Sequence, residues 1–279
     1  MLGVVAHTYL RFFPVAIGKS FLSPLVSIPR ETVEVTRRRI RWQLDCSSQY
    51  AMRVIFLFGE YEANTLRHLR KLFASHEKLT IVDVGANVGA YSVTLAKRHT
   101  NSSVIAFEPN PNSAKWLKRN IELNDLSNIE FSAFALGDSN GVIQLGFRDA
   151  NLGTASQFDT TADHTIDVKK TTLDSFLGQR NVETVDLLKV DIEGGELMCL
   201  DGAKEVIRRS ANLIIVMECI DSVCERAGHS ASDLFETIVR MGFEAYLPKA
   251  WPFPLKKVAV LPRGYWDNII FIRQRSEHN

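Results

Sequence analysis

The sequence predicts an α/β fold built on a mostly parallel sheet with helices on both faces, and three observations carry that prediction. From Leu79 onward, short apolar runs alternate with helical patterns, as βαβ units do. The run Thr80-Ile-Val-Asp-Val ends in Asp83 and turns through Gly85 and Gly89 into a helix. A second apolar run ends in Glu108, 19 residues beyond Gly89, and is followed by Pro109-Asn-Pro111.

Taken in order, residues 1–78 read as a helical or irregular lead-in. Within it Arg37-Arg-Arg-Ile-Arg41 reads as a solvated basic face, and 61–74 as an amphipathic helix with Leu66, Leu69, Leu72 and Phe73 at helical spacing. Strands are expected at 79–84, 103–108, 129–135, 185–191, 212–218, 243–247 and 267–273, with helices at 88–98, 111–123, 196–208 and 231–241. The polar stretch from Gly137 to about 171 is too long for a plain crossover and reads as an extra hairpin or a substrate loop.

Composition narrows the function. The 279 residues carry 33 Lys+Arg against 32 Asp+Glu, a net charge of +1, with 46% hydrophobic residues, which excludes a disordered or fibrous chain and supplies no global field for nucleic acid. Cys46, Cys199, Cys219 and Cys224 form no CxxC pair and read as small buried hydrophobes of a reducing compartment. Prolines and basic residues interrupt the apolar N-terminus before a transmembrane length is reached, and residues 1–10 contain no Lys or Arg, so the expectation is a cytoplasmic protein. The grouping of Phe12, Phe13, Phe21 and Leu22 adds a secondary expectation of weak membrane-surface contact by residues 10–28.

The glycine turn marks a nucleotide-type ligand. A dinucleotide fingerprint needs Gly-x-Gly-x-x-Gly, and the corresponding residues are Gly85, Asn87 and Ala90. Asn87 puts a side chain where a pyrophosphate would meet bare backbone, so an NAD-dependent oxidoreductase is disfavoured. Glu108 can accept hydrogen bonds from both ribose hydroxyls of an adenosine. An adenosyl ligand without pyrophosphate, beside acids able to balance a positive centre, points to S-adenosylmethionine.

Lys189 and Asp191 share one face at the end of a strand, with Glu193 just beyond and Glu218 ending the next. Asp191 is the first candidate to take a proton from an acceptor hydroxyl and Glu193 the second; Lys189, whose structural reading is an ion pair with Asp191, and Glu218, facing the same crevice, complete the expected catalytic set. Asp191, Glu193 and Glu218 would also suit magnesium as oxygen ligands, a reading that is not favoured. Trp251, Phe253, Tyr265 and Trp266 are candidates for stacking on a sugar.

The ordered set Asp83-Val-Gly-Ala-Asn-Val-Gly89, Phe107-Glu-Pro-Asn-Pro111, Ala135-Leu-Gly-Asp138, Thr172-Leu-Asp-Ser-Phe176, Leu188-Lys-Val-Asp-Ile-Glu-Gly194 and Met217-Glu218 resembles the FkbM family of class I methyltransferases. The resemblance implies a Rossmann-like, seven-stranded sheet with a last antiparallel strand, S-adenosylmethionine as donor, and O-methylation of a hydroxyl on a sugar, glycan or secondary metabolite. It implies a donor site formed by Asp83, Gly85, Asn87, Gly89, Glu108, Asn110 and Asp138, and it makes Asn151-Leu-Gly-Thr-Ala-Ser156 a cover of the active site. Residues 55–279 are then the methyltransferase domain and 1–54 an N-terminal extension. A binding module that keeps this fold without turnover is the alternative, against which the intact acids argue.

Overall fold

The computed structural model describes residues 28–274 except 48 and 150, so the membrane-surface expectation for 10–28 lies, Ile28 apart, outside the described residues. The described part opens with a hairpin, β1 (Thr32–Arg37) and β2 (Ile40–Asp45), followed by α1 (Tyr50–Phe58) and α2 (Ala63–Leu72). The lead-in is therefore not purely helical or irregular. Alternation buries Ile40, Trp42 and Leu44 of β2 while Arg41 stays exposed, a period-two pattern that a helix reading overlooks.

Next come β3 (Thr80–Val84), α3 (Ser92–Arg98), β4 (Ser103–Phe107), α4 (Pro111–Leu123) and β5 (Ile129–Ser132). Helix α3 starts at Ser92 rather than 88, because 88–91 still belong to the turn. The strand expected over 129–135 divides: β5 stays in the main sheet, and β6 (Ala135–Leu136) joins a second one. With β7 (Gly141–Arg148), β8 (Asn151–Ser156) and β9 (His164–Thr171), β6 makes a four-stranded sheet in the order β6-β9-β7-β8. The polar insertion thus holds the expected hairpin, and the stretch 151–156 is a strand paired with β7.

The remaining elements are α5 (Leu173–Gly178), β10 (Leu187–Val190), α6 (Glu196–Asp201), α7 (Lys204–Arg209), β11 (Ile214–Glu218), α8 (Asp221–Cys224), α9 (Ala231–Arg240), β12 (Phe243–Leu247), β13 (Lys256–Val258) and β14 (Asn268–Arg273). The helix expected over 196–208 is broken into α6 and α7 at Gly202. A Cβ there would lie 2.0 Å from the Gly137 carbonyl oxygen, so the backbones touch where a longer helix would have carried a side chain.

The main sheet runs β13-β12-β14-β11-β10-β3-β4-β5. Strands β5, β4, β3, β10 and β11 are parallel, and β14 is antiparallel to both its neighbours. The seven expected strands are present with the antiparallel last one, and β13 adds an edge. Alternation along each strand splits the core. Val82, Val190 and Met217 pack on one face with α5–α9; Ile81, Leu187 and Val216 pack on the other with α2, α3 and the hairpin residues Trp42 and Leu44. The expected division after residue 54 falls inside α1, whose Met52 and Ile55 belong to that second cluster.

Two asparagines of the α4 region fasten the hairpin. Asn124 Oδ1 accepts from the Arg41 N–H at 2.9 Å and its Nδ2 donates to Arg41 O at 2.6 Å, while Asn120 Oδ1 accepts from the Gln43 N–H at 2.8 Å. The edge of β2 is therefore satisfied by side chains instead of another strand. Among the described residues no helix is long and apolar enough to cross a membrane, and the four cysteines are free and buried.

Candidate active site

The parallel strands end together, and the β3 turn sets the site. Gly85 has φ +75, and a Cβ there would stand 1.8 Å from the carbonyl oxygen of Asp191. Only glycine permits that approach of the β3 turn to the end of β10. Gly89, at φ +93, lets the helix start pack on Val93 and Leu117. Asn87 also takes left-handed backbone, φ +50, and its N–H donates to Glu108 Oε2 at 2.7 Å.

Glu108, 6% exposed, is held from both sides, since its Oε1 accepts from the Asn110 N–H at 2.9 Å. Burial pushes its pKa up to about 7, against the pull of those two N–H groups. Asn110 caps α4, its Oδ1 accepting from the Asn112 N–H at 3.0 Å. Asp83 lies completely buried beneath the turn, where Oδ2 accepts from the Ser92 N–H at 3.0 Å and from its hydroxyl.

Lys189 stands opposite Asp83 in the β10–β3 register. Its Nζ donates to Gly85 O at 3.0 Å and to Asp191 Oδ2 at 3.3 Å, and lies 3.8 Å from Asp83 Oδ1. Burial disfavours the ammonium, but Asp191 and Asp83 outweigh it and hold the pKa above the usual lysine value. The ion pair that is the structural reading of Lys189 is present, and it ties the glycine turn to the acidic strand end.

Asp191, Glu193 and Glu218 line one cavity of ≈ 260 Å³ with Gly85, Asn87 and Glu108. Burial raises Glu193 to about 7, helped by Asp191 and opposed by Arg226 at 3.4 Å. Glu218 is raised well above the carboxylate range by burial and by Asp191 and Glu193. Among the described residues no three His, Cys, Asp or Glu side chains are grouped to hold a metal ion. Asp83, Gly89 and Asn110 support the cavity without lining it. Asp138 lies apart on the surface, paired with Lys170 at 2.8 Å, which lowers its pKa.

Several residues in or beside the lining carry no sequence signal. Glu62, just outside the lining, accepts from the Tyr91 hydroxyl and from Asn268 Nδ2, and burial with Asp191 nearby raises it to about 7. Gln49 precedes α1 yet does not cap it; the residue is 1% exposed, Nε2 donates to Ser113 Oγ at 3.2 Å, and Oε1, in the cavity wall, has no partner among the described residues. Asn87 Oδ1 is likewise buried and unpartnered among the described residues, while its Nδ2 donates to Gly153 O at 3.4 Å. Strand β8 thus reaches the glycine turn through Gly153 and the acidic end through Ser156, whose hydroxyl donates to Glu193 O at 2.7 Å. Of the C-terminal aromatics, Trp251, Phe253 and Trp266 are exposed and none of the four lines the cavity.

A pH dependence follows from these acids. Glu62, Glu108 and Glu193 have folded pKa values of about 7, raised from 4.5, so each binds its proton more tightly when folded. Their stabilising contribution is full below about 4.5 and is lost as pH rises through about 7. The melting temperature of the ligand-free protein is expected to fall between pH 5.5 and 8, and Glu193→Gln to flatten that slope. A melting temperature that rises over this interval would contradict it.

Residues 83–245, more than half of the chain, match the model of the methyltransferase FkbM domain. The chain belongs to the FkbM methyltransferase family. Methyltransferase 1 of Beauveria bassiana is 31% identical over 144 residues, covering 44% of this chain and 57% of that protein. The hexuronic acid methyltransferase AglP of Haloferax volcanii is 27% identical over 134 residues, covering 48% and 53%. The 2-O-methyltransferase NoeI of Sinorhizobium fredii is 24% identical over 148 residues, covering 47% and 59%. The chain spans little more than half the length of these curated relatives. Among solved structures, M. jannaschii TYW2 in complex with AdoMet is similar over 88% of each chain at 17% identity and TM-score 0.46. A putative O-methyltransferase from Klebsiella pneumoniae is similar over 77% of this chain and 82% of its own, at 11% identity and TM-score 0.47. In this FkbM chain the matched segment holds the glycine turn, Glu108, Asp191, Glu193 and Glu218, whereas Gln49 and Glu62 lie before it.

Proposed function

We propose that this FkbM-family chain transfers a methyl group from S-adenosylmethionine to a hydroxyl of a sugar, glycan or secondary metabolite. The observation that carries the reading is Glu108, a buried carboxylate fixed by two backbone N–H groups in the lining of a cavity that also holds Asp191, Glu193 and Glu218. The residues suit such a donor: Glu108 keeps lone pairs for ribose hydroxyls, and Gln49 Oε1 and Asn87 Oδ1 are buried acceptors in want of a donor. When bound, S-adenosylmethionine supplies an electrophilic methyl group on a sulfonium.

Asp191 is assigned to receive the acceptor hydroxyl's proton as transfer proceeds, with Lys189 orienting its carboxylate and Glu193 as a second proton site near neutral pH. Strand β8, tied down at Gly153 and Ser156, is assigned to cover the donor end. The relatives named for hexuronic acid and 2-O-methylation support a sugar hydroxyl as acceptor class. In this reading residues 55–279 form the methyltransferase domain, and the extension 1–54 adds Gln49 to the wall.

Calorimetric titration with S-adenosylhomocysteine, with magnesium and with EDTA, tests the donor. Micromolar binding insensitive to EDTA and undisturbed by NADH is expected. Glu108→Ala should weaken it by about 1–3 kcal/mol through loss of a charge-assisted hydrogen-bond pair. No binding by folded protein would refute the donor assignment, and an unchanged dissociation constant in the variant would remove Glu108 from the ribose role.

A further inference from the structure

The β1–β2 turn departs from what its geometry wants. Arg37 pairs with Ile40, leaving a two-residue loop in which Arg38 has φ 49 and Arg39 φ 67. Both central residues of such a type I′ turn take left-handed backbone, which is why Asn-Gly is preferred there. Two consecutive arginines strain both positions, and among the described residues the one carboxylate that either guanidinium meets is Glu60, 3.7 Å from Arg38.

These arginines open onto a groove of ≈ 470 Å³ that also holds Arg70, Lys97 and Arg98 and a single carboxylate, Glu60. Glu60 is consumed: Arg70 grips both its oxygens, and Arg38 stands 3.7 Å away. It thereby fixes two guanidinium forks. Lys97 Nζ is held by Asn124 O at 3.2 Å. Arg39 and Arg98 are exposed and have no carboxylate partner among the described residues. Arg70, Lys97 and Arg98 sit in the last turns of α2 and α3, where cations suit the helix carbonyls; that accounts for them but not for Arg38 and Arg39.

We propose that this groove binds a phosphate monoester or diphosphate group. Guanidinium forks match phosphate oxygens in pairs, and five cationic groups around one saturated carboxylate leave the surplus that a di- or trianion neutralises. The cations close around one groove on a chain of net charge +1, which fits a compact anion better than an extended nucleic-acid backbone. The site is independent of the methyl-transfer reading, since none of these residues lines the acidic cavity.

The test is calorimetric titration of the full chain with inorganic diphosphate at low salt. Wild type is expected to bind, and more weakly as sodium chloride is added. Arg38→Asn with Arg39→Gly installs the preferred turn, so affinity should fall at least about tenfold while the melting temperature stays level or rises. Arg98→Gln, on the other wall, should weaken binding several-fold with no change in melting. Sedimentation with phosphatidylcholine vesicles containing phosphatidic acid separates the sources. Co-sedimentation lost in the turn variant assigns a lipid headgroup, and binding of free diphosphate without co-sedimentation assigns a soluble phosphate. No binding by wild type, equal affinity in both variants, displacement by S-adenosylhomocysteine, or RNA binding that diphosphate does not displace would overturn the proposal.

Discussion

Alanine at position 85 is expected to destabilise the protein by about 2–5 kcal/mol, the sum of a left-handed backbone cost for a non-glycine residue and the overpacking it creates. The new methyl carbon would meet the Asp191 carbonyl oxygen at 1.8 Å, and that neighbour is main chain, not a side chain able to swing away. Relief requires β3 and β10 to separate. Their ends are joined there by the Asp191 N–H donating to Val84 O at 3.1 Å and by Lys189 Nζ donating to Gly85 O at 3.0 Å. Separation would free the ammonium of Lys189 from the turn and leave Asp83, completely buried, with a weakened countercharge. Donor binding should vanish with the stability. Gly141→Ala is the control: a Cβ there meets nothing within 4 Å, and a change of less than ~0.5 kcal/mol is expected. Denaturant unfolding of both variants decides the matter, and a Gly85→Ala protein as stable as wild type would show that the turn is free to move.

Asp191→Asn is expected to lower methyl transfer by about 10²–10⁴-fold, the range for loss of a positioned proton acceptor. Asparagine keeps the shape and can still accept from Lys189 Nζ, so the fold should survive. Glu108, Asn87 and Gln49 are untouched, and S-adenosylhomocysteine affinity should stay within about threefold, well under the ~1.4 kcal/mol that a tenfold change represents. Glu193→Gln should cost less, because Glu193 already shares its charge with Arg226 at 3.4 Å. Single-turnover transfer rates alongside calorimetric dissociation constants give the comparison. Loss of donor affinity with the chemical rate preserved would make Asp191 a donor-binding residue instead of the proton acceptor.

What could be read from the sequence was whatever depends on neighbours along the chain. Apolar runs of strand length alternating with helical patterns located the main-sheet strands, and α4 and β12 were placed to the residue. The turn through Gly85 and Gly89 was legible because only one residue type tolerates that backbone, and Glu108 because it ends the neighbouring strand a fixed distance on. Strand alternation alone put Lys189 and Asp191 on one face, where they stand 3.3 Å apart.

The tertiary structure decided what depends on residues far apart in the chain. Gln49 and Glu62 sit in helix-flanking stretches whose periodicity reports only a buried face; the folding of α1 and α2 against the sheet brings Gln49 to the cavity wall and Glu62 onto the Tyr91 hydroxyl. Asp138 lies in a motif that resemblance ties to the donor, yet Lys170 from a neighbouring strand holds it at the surface. The break at Gly202 exists because the Gly137 carbonyl arrives from 65 residues away in sequence. A one-dimensional pattern states which face of an element is apolar. It does not state which distant backbone or charge will meet that face, and here those meetings decide which side chains line the cavity.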